Sequence, residues 1–170
     1  MRLAKEYYKR HATELAPDLL GKLLCRKIGD NLLKYRITET ECYFGEDDTA
    51  CHAHKGKTNR TRILYEEGGI AYVYLCYGIH NLLNIVTGEA GFPEAVLIRG
   101  AEGFSGPGKL TKQMKIDRSF NGESLILSDK LWVEDDGFKP EFKAARRVGI
   151  DYATEKYKNI LWRFILTGSK

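Results

Sequence analysis

The chain has 170 residues, 43% hydrophobic and 29% charged, with a formal net charge of +4 at pH 7. This composition fits one globular domain over residues 1–170 and excludes a disordered chain, and no run reaches the roughly 18 apolar residues of a membrane span. The opening Met1-Arg2-Leu3-Ala4-Lys5-Glu6 lacks the apolar core of a secretory signal, so the expected site of action is the cytoplasm or nucleoid, or the nucleus, with a monomer as the default assembly.

The charge is segregated. Residues 39–48 carry Glu39, Glu41, Glu46, Asp47 and Asp48 without a base, whereas residues 55–62 carry Lys55, Lys57, Arg60 and Arg62 without an acid. Such a basic loop is compatible with simple solvation or with a polyanionic partner. The four cysteines have no C-x-x-C pairing and read as mostly buried free thiols. Cys51-His52-Ala53-His54, with Cys42 upstream, does not match zinc spacings, so neither a metal nor a cofactor is expected.

In chain order, Pro17 followed by Leu19, Leu20, Leu23 and Leu24 predicts a helix over 17–24. From Lys34 to Tyr43 the period becomes two, which puts Tyr35, Ile37, Glu39, Glu41 and Tyr43 on one face of a strand. Residues 44–69 form a long polar connection closed by Gly68 and Gly69. Ile70–Tyr77 is the strongest strand signal; Gly78 turns it into a hairpin with 82–87, and 94–99 follows as another strand. Gly106-Pro107-Gly108 opens a helix reaching Met114, residues 124–133 return to strand character, and a short helix over 142–148 precedes a last strand at 161–166. These elements define an α+β domain with a mainly antiparallel sheet.

A carboxylate on a half-buried strand face is costly to ionise, so Glu41 is either one half of a structural ion pair or a tuned acid–base group. Glu39, two residues away on the same strand, keeps open a paired-carboxylate glycoside or nucleoside hydrolase. Tyr43, Tyr72, Tyr74 and Tyr77 cluster on neighbouring strands, as ordinary pleat residues or as walls that hold an extruded nucleobase by stacking and cation–π attraction. Tyr77 beside Gly78 sits where a wedge would enter a duplex. His52, Asn84 and Arg99 lie on or next to these elements, where they suit a turn cap, a strand backbone partner and a surface ion pair with Glu39 as well as a site.

Several collinear motifs resemble the alkyladenine (3-methyladenine) DNA glycosylase family. They are Leu15-Ala16-Pro17-Asp18-Leu19-Leu20-Gly21-Lys22, Thr38-Glu39-Thr40-Glu41-Cys42-Tyr43, Ala71–His80 leading to Asn84, Val96–Glu102, Ser105-Gly106-Pro107-Gly108-Lys109-Leu110 and Arg146-Arg147-Val148-Gly149-Ile150. The resemblance implies a curved antiparallel sheet with flanking helices and a protruding, DNA-inserting β-hairpin. It implies that Glu41 is the general base that deprotonates the attacking water and that Arg99 lies beside that water. It assigns Tyr43, His52 and Tyr74 to the flipped base, Asn84 to exclusion of the guanine amino group, and Tyr77 to insertion into the duplex. The implied partner is double-stranded DNA containing damaged purines. No amine nucleophile is evident, so hydrolysis without a lyase step is expected. Between Glu102 and Ser105 only Gly103-Phe104 remains, where the family carries a longer, often basic segment. The rival readings are the small-substrate hydrolase above and a DNA-binding protein without catalysis.

Overall fold

The computed structural model describes residues Met1–Lys170. Along the chain run α1 (Lys5–Tyr8), α2 (Ala12–Asp18), β1 (Leu23–Ile28), β2 (Asn31–Phe44), β3 (Ala71–Cys76), β4 (His80–Val86), β5 (Glu94–Ala101) and β6 (Phe104–Ser105). Then follow α3 (Pro107–Gln113), β7 (Leu131–Glu134), β8 (Pro140–Ala145), α4 (Glu155–Lys158) and β9 (Arg163–Ser169). The strands form one curled antiparallel sheet in the order β3-β4-β5-β2-β1-β7, with β6 on β5, and β8 on β9 beside β2. β2 is its spine: its first half pairs with β1, and its second half with β5 and β9. No helix is long and apolar enough to cross a membrane.

The main core lies between the sheet and helices α2 and α3, with Leu15, Leu24, Ile37, Leu83, Ile98, Leu110 and Met114 fully buried. Thr40 Oγ1 donates to the Ala16 carbonyl at 2.6 Å, which ties α2 to β2. The hairpin, β5 and α3 stand where the alternation and the turn residues put them.

Four expectations are corrected. The helix expected over 17–24 is instead α2, with Pro17 in its last turn; Leu23 and Leu24 belong to β1. Gly21 adopts φ 82° and its N–H bonds the Ile37 carbonyl, so the chain leaves the helix at the point where a run of leucines could continue it. The segment expected to be helical over 142–148 is largely β8, because pairing with β9 outweighs the helix propensity of Ala144 and Ala145. Within 124–133 only the end is strand; Ser124 Oγ accepts from the N–H groups of Ile126 and Leu127 and makes a turn first.

The fourth correction bears on the site. The pairing of β2 with β5 shifts register on both sides of Glu39, so strict alternation breaks there. Tyr35 and Ile37 pack with the main core, as does Cys42. Beyond the bulge, Glu41 and Tyr43 point to the opposite face, into a cleft.

Candidate active site

Glu41 sits mid-strand with Leu97 of β5 and Arg163 of β9 as its cross-strand partners, and its side chain is 0% exposed. Its Oε1 accepts the Tyr43 hydroxyl at 2.9 Å and its Oε2 accepts the Val148 N–H at 2.7 Å. Arg99 Nε lies 4.0 Å from Oε2. Burial pushes the carboxyl above its ordinary value, and the Val148 N–H, Arg99 and the Tyr43 hydroxyl pull it partly back. A carboxyl raised in this way takes a proton more readily than an exposed one.

Arg99 gives its Nε–H to Glu39 Oε2 at 2.7 Å, and Arg163 Nη1 approaches Glu39 Oε1 at 3.8 Å. Glu39 is therefore committed to two guanidinium groups, whereas Glu41 keeps Arg99 at arm's length.

The second wall is aromatic. The His52 and Tyr74 rings lie 4.5 Å apart at 67°, and Tyr72 and Tyr74 5.5 Å apart at 38°. His52 Nδ1 is 3.0 Å from the Tyr72 hydroxyl, and burial, helped by the nearby Arg60 charge, lowers its pKa to about 4. The imidazole is thus neutral at physiological pH. Arg60 comes from the basic loop and lies over the Tyr74 ring at 5.3 Å. His54 Nδ1 turns away to the Glu46 carbonyl, and no group of three or more His, Cys, Asp or Glu side chains is placed to hold a metal.

Glu41, Tyr43, His52, Tyr74, Tyr77 and Arg99 all line one cleft of about 620 Å³, within the usual range for small-molecule sites. Asn84 is not on the cleft surface; it lines a recess shared with Tyr43, His52 and Tyr74, and its Nδ2 donates to the Tyr72 carbonyl at 3.2 Å. Tyr77 stands at the rim, 88% exposed, at the tip of the β3–β4 hairpin. Tyr77 and Gly78 have φ 53° and 69°, and the Ile79 N–H closes the turn on the Cys76 carbonyl. Both central residues at positive φ make a tight hairpin tip that glycine adopts freely and tyrosine only with strain.

Sequence reasoning missed several residues. Val148 supplies a main-chain N–H to Glu41, and Tyr152 lines both cleft and recess. Asp48 and Arg147 form a fully buried ion pair behind Tyr43. The Arg146–Ile150 motif held the only signal for Arg147 and Val148, without a role attached. At the hairpin, Ile79 is 72% exposed beside Tyr77. Between Glu102 and Ser105, where only Gly103 and Phe104 remain, the chain turns tightly at Gly103 (φ 88°), and Phe104 packs edge-on against Tyr35 at 5.0 Å.

The chain matches the family model described as methylpurine-DNA glycosylase over residues 6–105 and 102–170. A protein of Psychrobacter cryohalolentis, provisionally named a 3-methyladenine DNA glycosylase, is 44% identical over 191 residues, covering 95% of this chain and 90% of that relative. Relatives of the same name are 40% identical in Natranaerobius thermophilus, covering 98% of this chain and 96% of the relative, and 43% identical in Borreliella afzelii, covering 96% and 95%. Fold, cleft and these matches define a DNA glycosylase of base excision repair, an N-glycosyl hydrolase. The chain belongs to the methylpurine-DNA glycosylase family.

Proposed function

We propose that this protein extrudes alkylated or deaminated purines from duplex DNA and hydrolyses their N-glycosidic bond with a water that Glu41 deprotonates. The observation that carries this reading is the Glu41 carboxylate, fully buried yet lining a cleft whose other residues include Tyr43, His52 and Tyr74. The substrates follow the methylpurine and 3-methyladenine of the family and relative names, with hypoxanthine and ethenoadenine as further purines of the same shape.

As the bond between the sugar C1′ and the base nitrogen breaks, its electron pair leaves with the base and positive charge grows on the sugar. Glu41 stabilises that charge and takes one proton of the water, whose oxygen forms the new bond to C1′. Arg99, anchored by Glu39, orients the water beside Glu41. Tyr43, Tyr74 and neutral His52 hold the base between aromatic faces, and a positively charged alkylpurine adds cation–π attraction. Asn84, held by the Tyr72 carbonyl, guards the recess against the amino group of guanine. Tyr77 fills the gap left in the duplex. The protein works as a monomer without a cofactor, and its DNA partner places it at the nucleoid or in the nucleus.

The test is release of hypoxanthine, ethenoadenine or 3-methyladenine from a defined duplex, with alkali cleaving the abasic product. Glu41→Gln should slow release by about 10²–10⁴-fold while lesion binding persists. Unchanged release by the variant would remove Glu41 from the mechanism, and lesion binding without release by the unmodified protein would remove catalysis altogether.

A further inference from the structure

Both direct hydrogen-bond donors to Glu41 lean on one buried side chain. Arg147 lies 4.9 Å above the Tyr43 ring, whose hydroxyl bonds Oε1, and immediately precedes Val148, whose N–H bonds Oε2. The Arg147 and Asp48 side chains are both 0% exposed. Arg147 Nη1 donates to Asp48 Oδ2 at 2.7 Å and to the Cys42 carbonyl at 3.0 Å; Nη2 donates to Asp48 Oδ1 at 3.0 Å and to the Tyr157 carbonyl at 3.1 Å. The guanidinium also lies over the Trp162 ring at 5.1 Å. Asp48 in turn accepts the N–H groups of Phe44 at 3.0 Å and Ala50 at 3.1 Å.

The pair therefore joins three stretches of chain, the end of β2 with Glu41 and Tyr43, the connection leading to His52, and the segment after β8 that carries Val148, and is the ionic centre of a junction that the Tyr152 hydroxyl to Ala50 carbonyl and Thr154 N–H to Thr49 Oγ1 bonds also close. Stability alone does not account for it. A buried ion pair is often no better than apolar packing of the same volume, and Arg147 Nε is buried without a partner. What the two-pronged geometry adds is position, because a planar fork against a carboxylate fixes direction as well as distance.

We propose that Asp48 and Arg147 are positioning residues for the excision reaction, a buried clamp that sets the two hydrogen bonds of the Glu41 carboxylate. This rests on the reading of Glu41 as general base. With the clamp loosened, Tyr43 and Val148 drift, the ionised carboxylate loses its donors, and the base functions only at higher pH.

The experiment is single-turnover excision of hypoxanthine from a duplex as a function of pH, using the full chain. Arg147→Lys keeps the charge without the fork, and Asp48→Asn keeps the shape of the other partner without its charge. In each variant the acid limb of the rate profile should move up by about one pH unit and the plateau should fall about tenfold, with the lesion-duplex Kd nearly unchanged. Arg26→Lys is the control, since Arg26 bonds the Met114 carbonyl at 3.0 Å on β1, away from the cleft; it should lower Tm and leave the limb in place. Because the two variants break the pair from opposite sides, either one that folds decides the matter. An unmoved limb and plateau in a folded variant would overturn the clamp while Glu41→Gln stays inactive. Retained activity in Glu41→Gln would instead overturn the reading on which the clamp rests.

Discussion

Arg99 gives its Nε–H to Glu39 at 2.7 Å and stands 4.0 Å from Glu41. One guanidinium thus serves two carboxylates unequally. Glu39→Gln should weaken its hold on Arg99 and let the cation close on Glu41, where an approaching positive charge favours the ionised carboxylate. The acid limb of excision should then move to lower pH, opposite to the shift expected from Arg147→Lys, and the plateau should fall modestly as Glu41 becomes a weaker base. A paired-carboxylate hydrolase predicts instead that Glu39→Gln is as damaging as Glu41→Gln. Parallel pH–rate profiles of the two variants separate these outcomes.

Tyr77 occupies a left-handed backbone position at φ 53° with its ring 88% exposed. Asparagine tolerates that conformation better, so Tyr77→Asn should stabilise the fold by about 0.5–1 kcal/mol. The same change removes the proposed wedge, and lesion-duplex affinity should fall about tenfold, as for loss of one stacked aromatic. Thermal melts and binding titrations on one preparation check both halves. A variant that is more stable and binds lesions as before would remove the wedge role.

His52 titrates near 4 in the folded protein, below the ordinary value of about 6.5. The folded protein therefore refuses a proton that the unfolded chain accepts. Its contribution to stability is complete above about pH 6.5 and declines as pH falls toward 4. Glu41 works in the other sense: its raised value makes burial oppose folding increasingly as pH rises through the ordinary carboxylate range. Melting temperature should drop between pH 6.5 and 4, and His52→Gln should flatten that drop. Excision above pH 5 should show no limb that His52→Gln removes.

The basic connection offers an electrostatic test. Lys55 and Arg62 are exposed at the two 3-10 turns, at His52–Lys55 and Arg62–Tyr65, that flank the loop carrying Arg60. If both meet phosphates, the Lys55→Ala, Arg62→Ala double variant should lower the slope of log Kd against log salt by about 2 and weaken binding to damaged and undamaged duplex alike. An unchanged slope would show that the loop serves the pocket alone, through Arg60.

The parts of the fold legible in the sequence are those where local pattern and tertiary pairing agree. The β3–β4 hairpin is marked by β-branched and aromatic residues around Gly78, and α3 by Gly106 and Pro107 ahead of an apolar face. The failures come where a distant partner decides. Leu23 and Leu24 satisfy a helix or a buried strand equally, and only pairing with Arg36 and Tyr35 selects the strand. Ala144 and Ala145 favour a helix until β9 supplies strand partners. In the site, the resemblance placed Glu41, Tyr43, His52, Tyr74, Tyr77 and Arg99 on the cleft but passed over Tyr152, and Val148 contributes through its main chain, which its residue type does not signal. Asp48 and Arg147 are 99 positions apart, a pairing no local spacing encodes.

The bulge at Glu39 makes β2 a strand written in two phases, and the join matters more than the letters on either side. If β2 paired without the bulge, Ile37 and Glu41, four positions apart, would face the same way, and either Ile37 would leave the core or Glu41 would enter it, with every cleft side chain chemically intact. The cleft thus depends on where the strand changes phase as much as on which residues line it: the irregular pairing around Glu39 is what aims Glu41 away from the core.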